Sequence, residues 1–316
     1  MAIEVIHGWK DLAPTQRGAA VALGNFDGVH RGHQAVLEAA KAAARRLGVA
    51  SGVVSFDPHP RRYFQAAAEP FSLMTPDQTA RALQAAGIDR LYLLPFDAEM
   101  AELTDRQFAR QVLAEGLDVA HVAVGFDVTF GKGRSGSPEA MATYGSELGF
   151  SVSCTPELVT GDGVKLSSSV IREALMGARP HQAASVLGRP FAIAGEVVHG
   201  DKRGRTIGVP TANVRLGDYV RPAYGVYATR TRLADGRVID GVANLGVRPM
   251  FQSEEPLLEV WLFDFDEEIY GQIIETQLIA WIRPELKFDG LEALKARIDQ
   301  DAIEARAALA AAPAQD

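Results

Sequence analysis

Two hydrophobic rhythms divide this chain. In the first half, short apolar runs at 21–23, 52–56, 90–94, 119–125 and 151–155 read as strands. Between them, segments at 34–47, 79–86, 105–115 and 138–148 are alanine-rich or apolar at helical spacing, and read as helices. Strand–helix alternation of this kind predicts an α/β unit, a parallel sheet with helices on both faces. Such sheets bind ligands beyond the carboxyl ends of their strands. Near Gly188 the rhythm changes. After Phe191 apolar positions recur at period two, in short runs such as 225–231, 238–244, 259–265 and 273–282. Asp235-Gly236 between two of them is a hairpin signal. The second half therefore reads as a small antiparallel barrel or sandwich, closed by a helix from 291 to about 309.

Glycine, proline and alanine accumulate over 177–189, which puts the expected domains at 1–184 and 185–312 with a tail at 313–316. The chain shows no internal repeat, so the halves are different modules. Its 316 residues suffice for two separate cores, and 47% apolar with 23% charged residues is ordinary for a soluble globular protein. No run of about eighteen apolar residues predicts a membrane span, and residues 1–10 lack a signal-peptide core. The one cysteine, Cys154, excludes an intrachain disulfide and suits a reducing cytoplasm; it reads as a small buried side chain near a strand. A net charge of −8 argues against nonspecific nucleic-acid binding. Basic residues are grouped instead beside glycines, in Lys132-Gly133-Arg134 and Lys202-Arg203-Gly204-Arg205, which suits a bound polyphosphate or a solvated loop.

The most informative segment follows the strand at 21–23: Gly24-Asn25-Phe26-Asp27-Gly28-Val29-His30-Arg31-Gly32-His33. It predicts a sharp turn that delivers His30 and His33 to one face at the start of a helix. The N–H groups and dipole of that helix end favour an anion, and imidazoles can donate to phosphate oxygens as charge builds there. A tight turn with two solvent histidines is the plainer reading. Ser55-Phe56-Asp57-Pro58-His59-Pro60 follows the next strand, with prolines that fix the loop path around Asp57 and His59. Gly125-Phe126-Asp127-Val128-Thr129-Phe130-Gly131-Lys132-Gly133-Arg134-Ser135-Gly136 follows another, its glycines permitting close approach of a ligand. Ser167-Ser168-Ser169-Val170-Ile171-Arg172 opens a further helix. Serines there are ordinary caps, while Arg172 in a first turn opposes the dipole and hints at an anionic partner.

The decamer resembles the G-x-F-D-x-x-H-x-G-H signature of the HIGH-type nucleotidyltransferases, a Rossmann-like α/β fold, which pantetheine-phosphate adenylyltransferases also share. With the later segments it resembles the FAD synthetase half of bacterial bifunctional riboflavin kinase/FAD synthetases. That resemblance implies that Gly24, Phe26, Asp27, Gly32, Ser168 and Ser169 handle the nucleotide. It implies that His30 and His33 stabilise the α-phosphate while FMN attacks ATP, with Arg172 favouring pyrophosphate departure. Asp57, Pro58, His59, Asp127 and Phe130 are implied on the flavin side. Asp127 stands where many relatives carry Asn, and Val128 replaces a usual aromatic.

In the second half, a glycine-rich basic loop, His199-Gly200-Asp201-Lys202-Arg203-Gly204-Arg205, leads to Pro210-Thr211-Ala212-Asn213. Gly200, Lys202, Gly204 and Arg205 could wrap phosphates, and Thr211 and Asn213 offer hard oxygen ligands suited to Mg²⁺. A capped hairpin is the plainer reading. Glu259 interrupts the apolar residues Leu257, Leu258 and Val260, where either chemistry or a solvent-facing alternation would explain it. The run is similar to the riboflavin kinase module. That similarity implies that the P-T-A-N motif holds the ATP-bound metal and that Glu259 is the general base for the ribityl 5′-hydroxyl. Tyr224-Gly225-Val226-Tyr227, Asn244-Leu245-Gly246-Val247-Arg248-Pro249 and Arg283-Pro284-Glu285-Leu286-Lys287-Phe288 extend it, while Met250 and Trp261 replace a usual Thr and a frequent His.

The resemblance implies a cytoplasmic enzyme of flavin-cofactor biosynthesis with riboflavin, FMN, FAD and ATP as ligands, Mg²⁺ as cofactor, and no nucleic-acid or membrane partner. A monofunctional enzyme with one degenerate site, or a flavin- or nucleotide-binding regulator, are the rival readings. Oligomeric state is not encoded in any of these patterns.

Overall fold

The structure, a computed structural model, describes residues 2–161, 163–199, 209–247 and 255–313. The chain forms two compact units, Met1–Glu69 with Pro76–Leu166, and Pro70–Thr75 with Ser167–Asp316.

The first unit holds six parallel strands: β1 (Glu4–His7), β2 (Ala20–Leu23), β3 (Ser51–Asp57), β4 (Arg90–Pro95), β5 (His121–Gly125) and β6 (Ser151–Thr155). Their spatial order is β1-β4-β3-β2-β5-β6. From β2 the chain steps outward through β3 and β4, then returns to the other side for β5 and β6. The sheet order thus reverses between β2 and β5, where loops leave in opposite directions and open a crevice. Both faces are covered. Ala20 packs against Ala43 and Ala44 of helix α1 (Arg31–Leu47), while Val21 and Leu23 join Tyr92, Val112, Val122 and Met141 on the opposite face. Alternation of side chains along β2 makes this division.

The strands expected in this half form at nearly the expected residues, β5 starting two residues later than the apolar run. Strand β1 was not foreseen, because as an outer strand it buries only Ile6. Cys154 corrects an expectation: it is exposed, not buried, because β6 is an edge strand with one uncovered flank. Partial burial and the nearby Glu139 carboxylate raise its thiol pKa, so it stays protonated.

In the second unit six antiparallel strands close into a barrel: β7 (Phe191–Val198), β8 (Ala212–Arg215), β9 (Gly225–Arg232), β10 (Val238–Gly246), β11 (Leu257–Leu262) and β12 (Ile273–Pro284), in the order β10-β11-β8-β7-β12-β9. Register shifts between Leu278 and Ala280, and between Trp281 and Arg283, bend β12 so that it pairs with β7 at one end and β9 along its length. This curvature closes a barrel where the sequence left a sandwich open. Outside, Val226, Ala228 and Val242 pack beneath Ala302, Ala305 and Leu309 of the C-terminal helix, Leu291–Ala311. Helices Ser168–Met176 and Pro180–Leu187 pack together, the latter also against β7 and β12. Pro70–Thr75 joins this unit as well, Ser72 donating to the Asp218 carbonyl at 2.9 Å and accepting from Val220 N at 2.8 Å.

Candidate functional site

Beyond β2 the backbone is forced into unusual conformations: Phe26, Gly28 and Val29 have φ of 51°, 92° and 40°. Two non-glycine residues in the left-handed region within one turn is costly strain, of the kind that clusters at functional sites. Phe26 is buried and its ring lies tilted against His33, centroids 5.1 Å apart. His30 is the N-cap of α1. Its Nδ1 accepts from the His33 backbone N–H at 3.2 Å, which leaves the proton of a neutral ring on Nε2. His30 is only 5% exposed, and its ring stacks on His33 with centroids 3.6 Å apart and planes 19° apart. Gly32 has no room for a side chain, since a Cβ there would lie 2.7 Å from the Leu166 carbonyl. The H-x-G-H spacing is therefore set by a distant strand-like segment pressing on the turn. Gly24 is tied back to β3 by its N–H to Val54 O at 3.2 Å.

The neighbouring loops supply the other expected residues. Asp57 ends β3 and is exposed, the Asp57–Pro58 bond is cis, and His59 caps the short helix Pro60–Phe64 by accepting Arg61 N–H at 3.0 Å. On that helix Tyr63 and Phe64 are exposed and meet Phe96 at 5.4 and 5.7 Å. Sequence reading missed this aromatic cluster, although the Tyr63-Phe64 pair directly after the proline loop was a usable signal. Beyond β5, Asp127 is exposed, whereas Phe130 is buried against Phe108 at 5.8 Å. Val128 packs against the same core. Lys132 pairs with Glu102 at 2.6 Å, and Arg134 Nε donates to Thr129 at 2.9 Å.

Ser167, not Ser168 or Ser169, caps the helix Ser168–Met176, accepting Val170 N–H at 3.4 Å. Arg172 is consequently the fifth helical residue rather than a first-turn one. Its Nε donates to the Phe71 carbonyl at 2.7 Å, and the guanidinium lies 5.4 Å from the Phe71 ring centroid. All of these belong to the second unit.

In the barrel, strand register decides the site. Glu259 on β11 pairs with Asn213 on β8 and with Asn244 on β10. Residues directly opposite in antiparallel strands share a face, so the carboxylate and two carboxamides form one row. Leu258, Val260 and Leu262 alternate to the interior, which leaves Glu259 and Trp261 on the outer face. Trp261 meets Phe263 edge-on at 5.5 Å among residues packed under the C-terminal helix. Asn213 is 4% exposed. Its Nδ2 donates to the Thr211 carbonyl at 3.4 Å, and its Oδ1 has no hydrogen-bond partner among the described residues. An unsatisfied buried oxygen costs about 1–3 kcal/mol. A hard cation would satisfy it, so Asn213 and Thr211 fit Mg²⁺. Among the described residues no cluster of His, Cys, Asp or Glu could hold a metal. A cation here would thus rely on neutral oxygens and substrate phosphates. A cavity of about 330 Å³ opens on the other side of the same strands, lined by Pro210, Thr211, Val260, Leu262 and Tyr270. Gly200, Lys202, Gly204, Arg205 and Met250 lie outside the described residues.

Comparison with known proteins finds a family match in each half of the chain. A FAD synthetase family model matches residues 12–170, and a riboflavin kinase model matches 187–309. The bifunctional riboflavin kinase/FMN adenylyltransferase of Haemophilus influenzae is 38% identical, covering 96% of this chain and 99% of that one. Its Bacillus subtilis namesake is 40% identical, covering 96% of each. A solved Streptococcus pneumoniae structure described as a macrolide-efflux protein superposes with a TM-score of 0.83 at 32% identity, covering 97% of this chain and 99% of that one. Family models over both halves, and relatives aligned nearly end to end, leave one assignment: the chain belongs to the bifunctional riboflavin kinase/FMN adenylyltransferase family.

Proposed function

We propose that the chain makes both flavin cofactors at two separate sites, with residues 185–312 as the kinase and 1–184 as the adenylyltransferase. The observation that carries this is that the histidine pair and the carboxylate–carboxamide row fall in different units. His30 and His33 stand in one compact unit, while Asn213 and Glu259 stand in the other.

In the kinase step Glu259 takes the proton of the riboflavin 5′-hydroxyl as its oxygen bonds to the γ-phosphorus of ATP. The bond to the β–γ bridging oxygen breaks, and ADP leaves. Asn213 and Asn244, beside Glu259 in register, orient the hydroxyl and the carboxylate. Thr211 and Asn213 would hold Mg²⁺, which when bound neutralises phosphate charge. Thr211 also lines the 330 Å³ cavity, which suits the nucleoside of ATP. Gly200, Lys202, Gly204 and Arg205 are assigned to its phosphates from sequence alone.

In the second step a phosphate oxygen of FMN attacks the α-phosphorus of ATP. The α–β bridging bond breaks, giving FAD and pyrophosphate. His30, through Nε2–H, and His33 stabilise the growing charge on the α-phosphate oxygens at the helix start. Gly24, Phe26, Asp27 and Gly32 shape that turn. Asp57, Pro58, His59, Asp127 and Phe130 serve the flavin side, and Tyr63 and Phe64 offer exposed rings for its planar system. Ser168, Ser169 and Arg172 are assigned to the triphosphate and pyrophosphate from motif order. The low cysteine count supports a cytoplasmic setting.

The test is one incubation with riboflavin, ATP and Mg²⁺, resolved by chromatography over time. FMN should appear first, then FAD. His33→Ala should lower FAD formation at least roughly a hundredfold and spare FMN formation. Glu259→Gln should lower riboflavin phosphorylation by about 10²–10⁴ and spare adenylylation of supplied FMN. Loss of both reactions in either folded variant would overturn the separation of sites.

A further inference from the structure

The loop beyond β5 poses a charge problem. It stands where the sheet order reverses, and it carries the exposed carboxylate of Asp127. Both reactants of the adenylyl transfer are polyanions, which a bare carboxylate there would repel. A cation answers it from a segment distant in sequence. Lys165 Nζ lies 3.8 Å from Asp127 Oδ2, 3.0 Å from Glu157 Oε1 and 4.9 Å from the centroid of the exposed Phe126 ring. Its backbone is pinned by pairing with Val159, and the next residue donates from Leu166 N to Leu158 O at 3.1 Å. The Leu166 carbonyl then abuts Gly32, between the two histidines. Main-chain packing therefore holds the Leu166 carbonyl, one residue beyond Lys165, against the His30–His33 turn. Glu157 raises the Lys165 pKa, so the cation persists at neutral pH.

We propose that Lys165 is a further substrate-binding residue of the adenylyltransferase, offsetting the Asp127 carboxylate and meeting reactant phosphate beside the His30–His33 turn. The inference rests on the adenylyltransferase reading. With three donors on a flexible stem, Lys165 can keep Glu157 as an anchor and exchange Asp127 for phosphate oxygens. Glycine at 32 and lysine at 165 are then two parts of one device, the first making room for the segment that delivers the second.

The test measures KM and kcat for FMN and for ATP in the full chain carrying Lys165→Met, Lys165→Arg, Asp127→Asn, or Asp127→Asn with Lys165→Met. Lys165→Met should raise KM for a phosphate-bearing substrate about fivefold and change kcat less than about twofold. A rise confined to FMN assigns the acceptor phosphate, and one confined to ATP assigns the triphosphate. Lys165→Arg should bind nearly as well as the parent, and the double variant should recover part of the loss, because only the offset of Asp127 is relieved. Unchanged KM for both substrates would overturn the proposal, as would an equal loss in the Asp127→Asn background. Circular dichroism and thermal melting of the same sample report folding. If Lys165→Met fails to fold, Asp127→Asn alone decides: a lower KM supports the proposal and a higher one overturns it. A parent enzyme that forms no FAD at all would instead sink the adenylyltransferase reading.

Discussion

Asp301 is the clearest place to test what holds the C-terminal helix on the kinase barrel. Its side chain is 4% exposed and accepts from Arg283 Nε at 2.8 Å, Arg283 Nη2 at 2.6 Å and Arg297 Nε at 2.9 Å. Arg283 comes from β12, so this carboxylate ties helix to barrel, while Arg297 is its neighbour one turn earlier. Asp301→Asn keeps the volume but removes the charge and turns N–H groups toward guanidinium donors. Breaking a buried pair costs about 3–5 kcal/mol. Arg297 keeps Glu304 at 3.2 Å and Arg283 keeps the Pro284 carbonyl at 2.9 Å, which argues for the lower end, about 3 kcal/mol. For a unit of this size that is a fall of roughly 6–12 °C in midpoint. The assay is residual riboflavin phosphorylation after graded heating, with FMN adenylylation in the same tube reporting the other unit. Asp301→Leu combined with Arg283→Met should recover most of the loss, because a packed apolar pair avoids the desolvation cost of the ions. A loss below about 1 kcal/mol for Asp301→Asn would refute the argument, since that is the value of an exposed pair. The helix would then be held by the packing of Ala302, Ala305 and Leu309 together with the Arg230 and Arg306 contacts.

Three further outcomes follow from the first unit. His121 is buried between Ser151 and Ser153, 2.8 Å from each hydroxyl, and burial followed by the Arg46 charge lowers its pKa. The unfolded chain therefore binds this proton more readily than the folded one. Stability should be full above the ordinary value of 6.5 and decline as pH falls from there through the lowered folded value. Thermal melts of the parent and His121→Gln at pH 7.5 and 5.5 check this, the variant showing the flatter dependence. Gly32→Ala should push the Leu166 carbonyl away from the turn and lower FAD formation at least about tenfold, with riboflavin phosphorylation unchanged. Phe64→Ala should raise KM for FMN about three- to tenfold, read by steady-state kinetics, with little change in melting temperature because the ring is 66% exposed.

What could be read in the sequence was whatever local chemistry fixes. The helix expected at 138–148 forms at those residues because its stop signals are adjacent, Ser137 capping one end and Gly149 adopting φ 92° at the other. Strand β6 likewise formed at the expected residues, yet the same segment misled about Cys154, since burial depends on what lies alongside and β6 has a neighbouring strand, β5, on one flank only. Strand β1 gave no signal because an outer strand needs little apolar surface. The decamer after β2 and the Thr211–Asn213 motif were legible as candidate sites through residue type, spacing and family resemblance. Tertiary structure decided the rest. Pairing of β8, β11 and β10 sets Asn213, Glu259 and Asn244 in one row, and no spacing along the chain encodes which strands become neighbours. Contact between Leu166 and Gly32, and the reach of Lys165 to Asp127, likewise exist only once the sheet has placed distant loops at one end. Sequence alone determined which groups could do the chemistry, because capping, turns and periodicity act over a few residues. Tertiary structure alone determined which groups act together, because register and packing join segments that the chain keeps far apart.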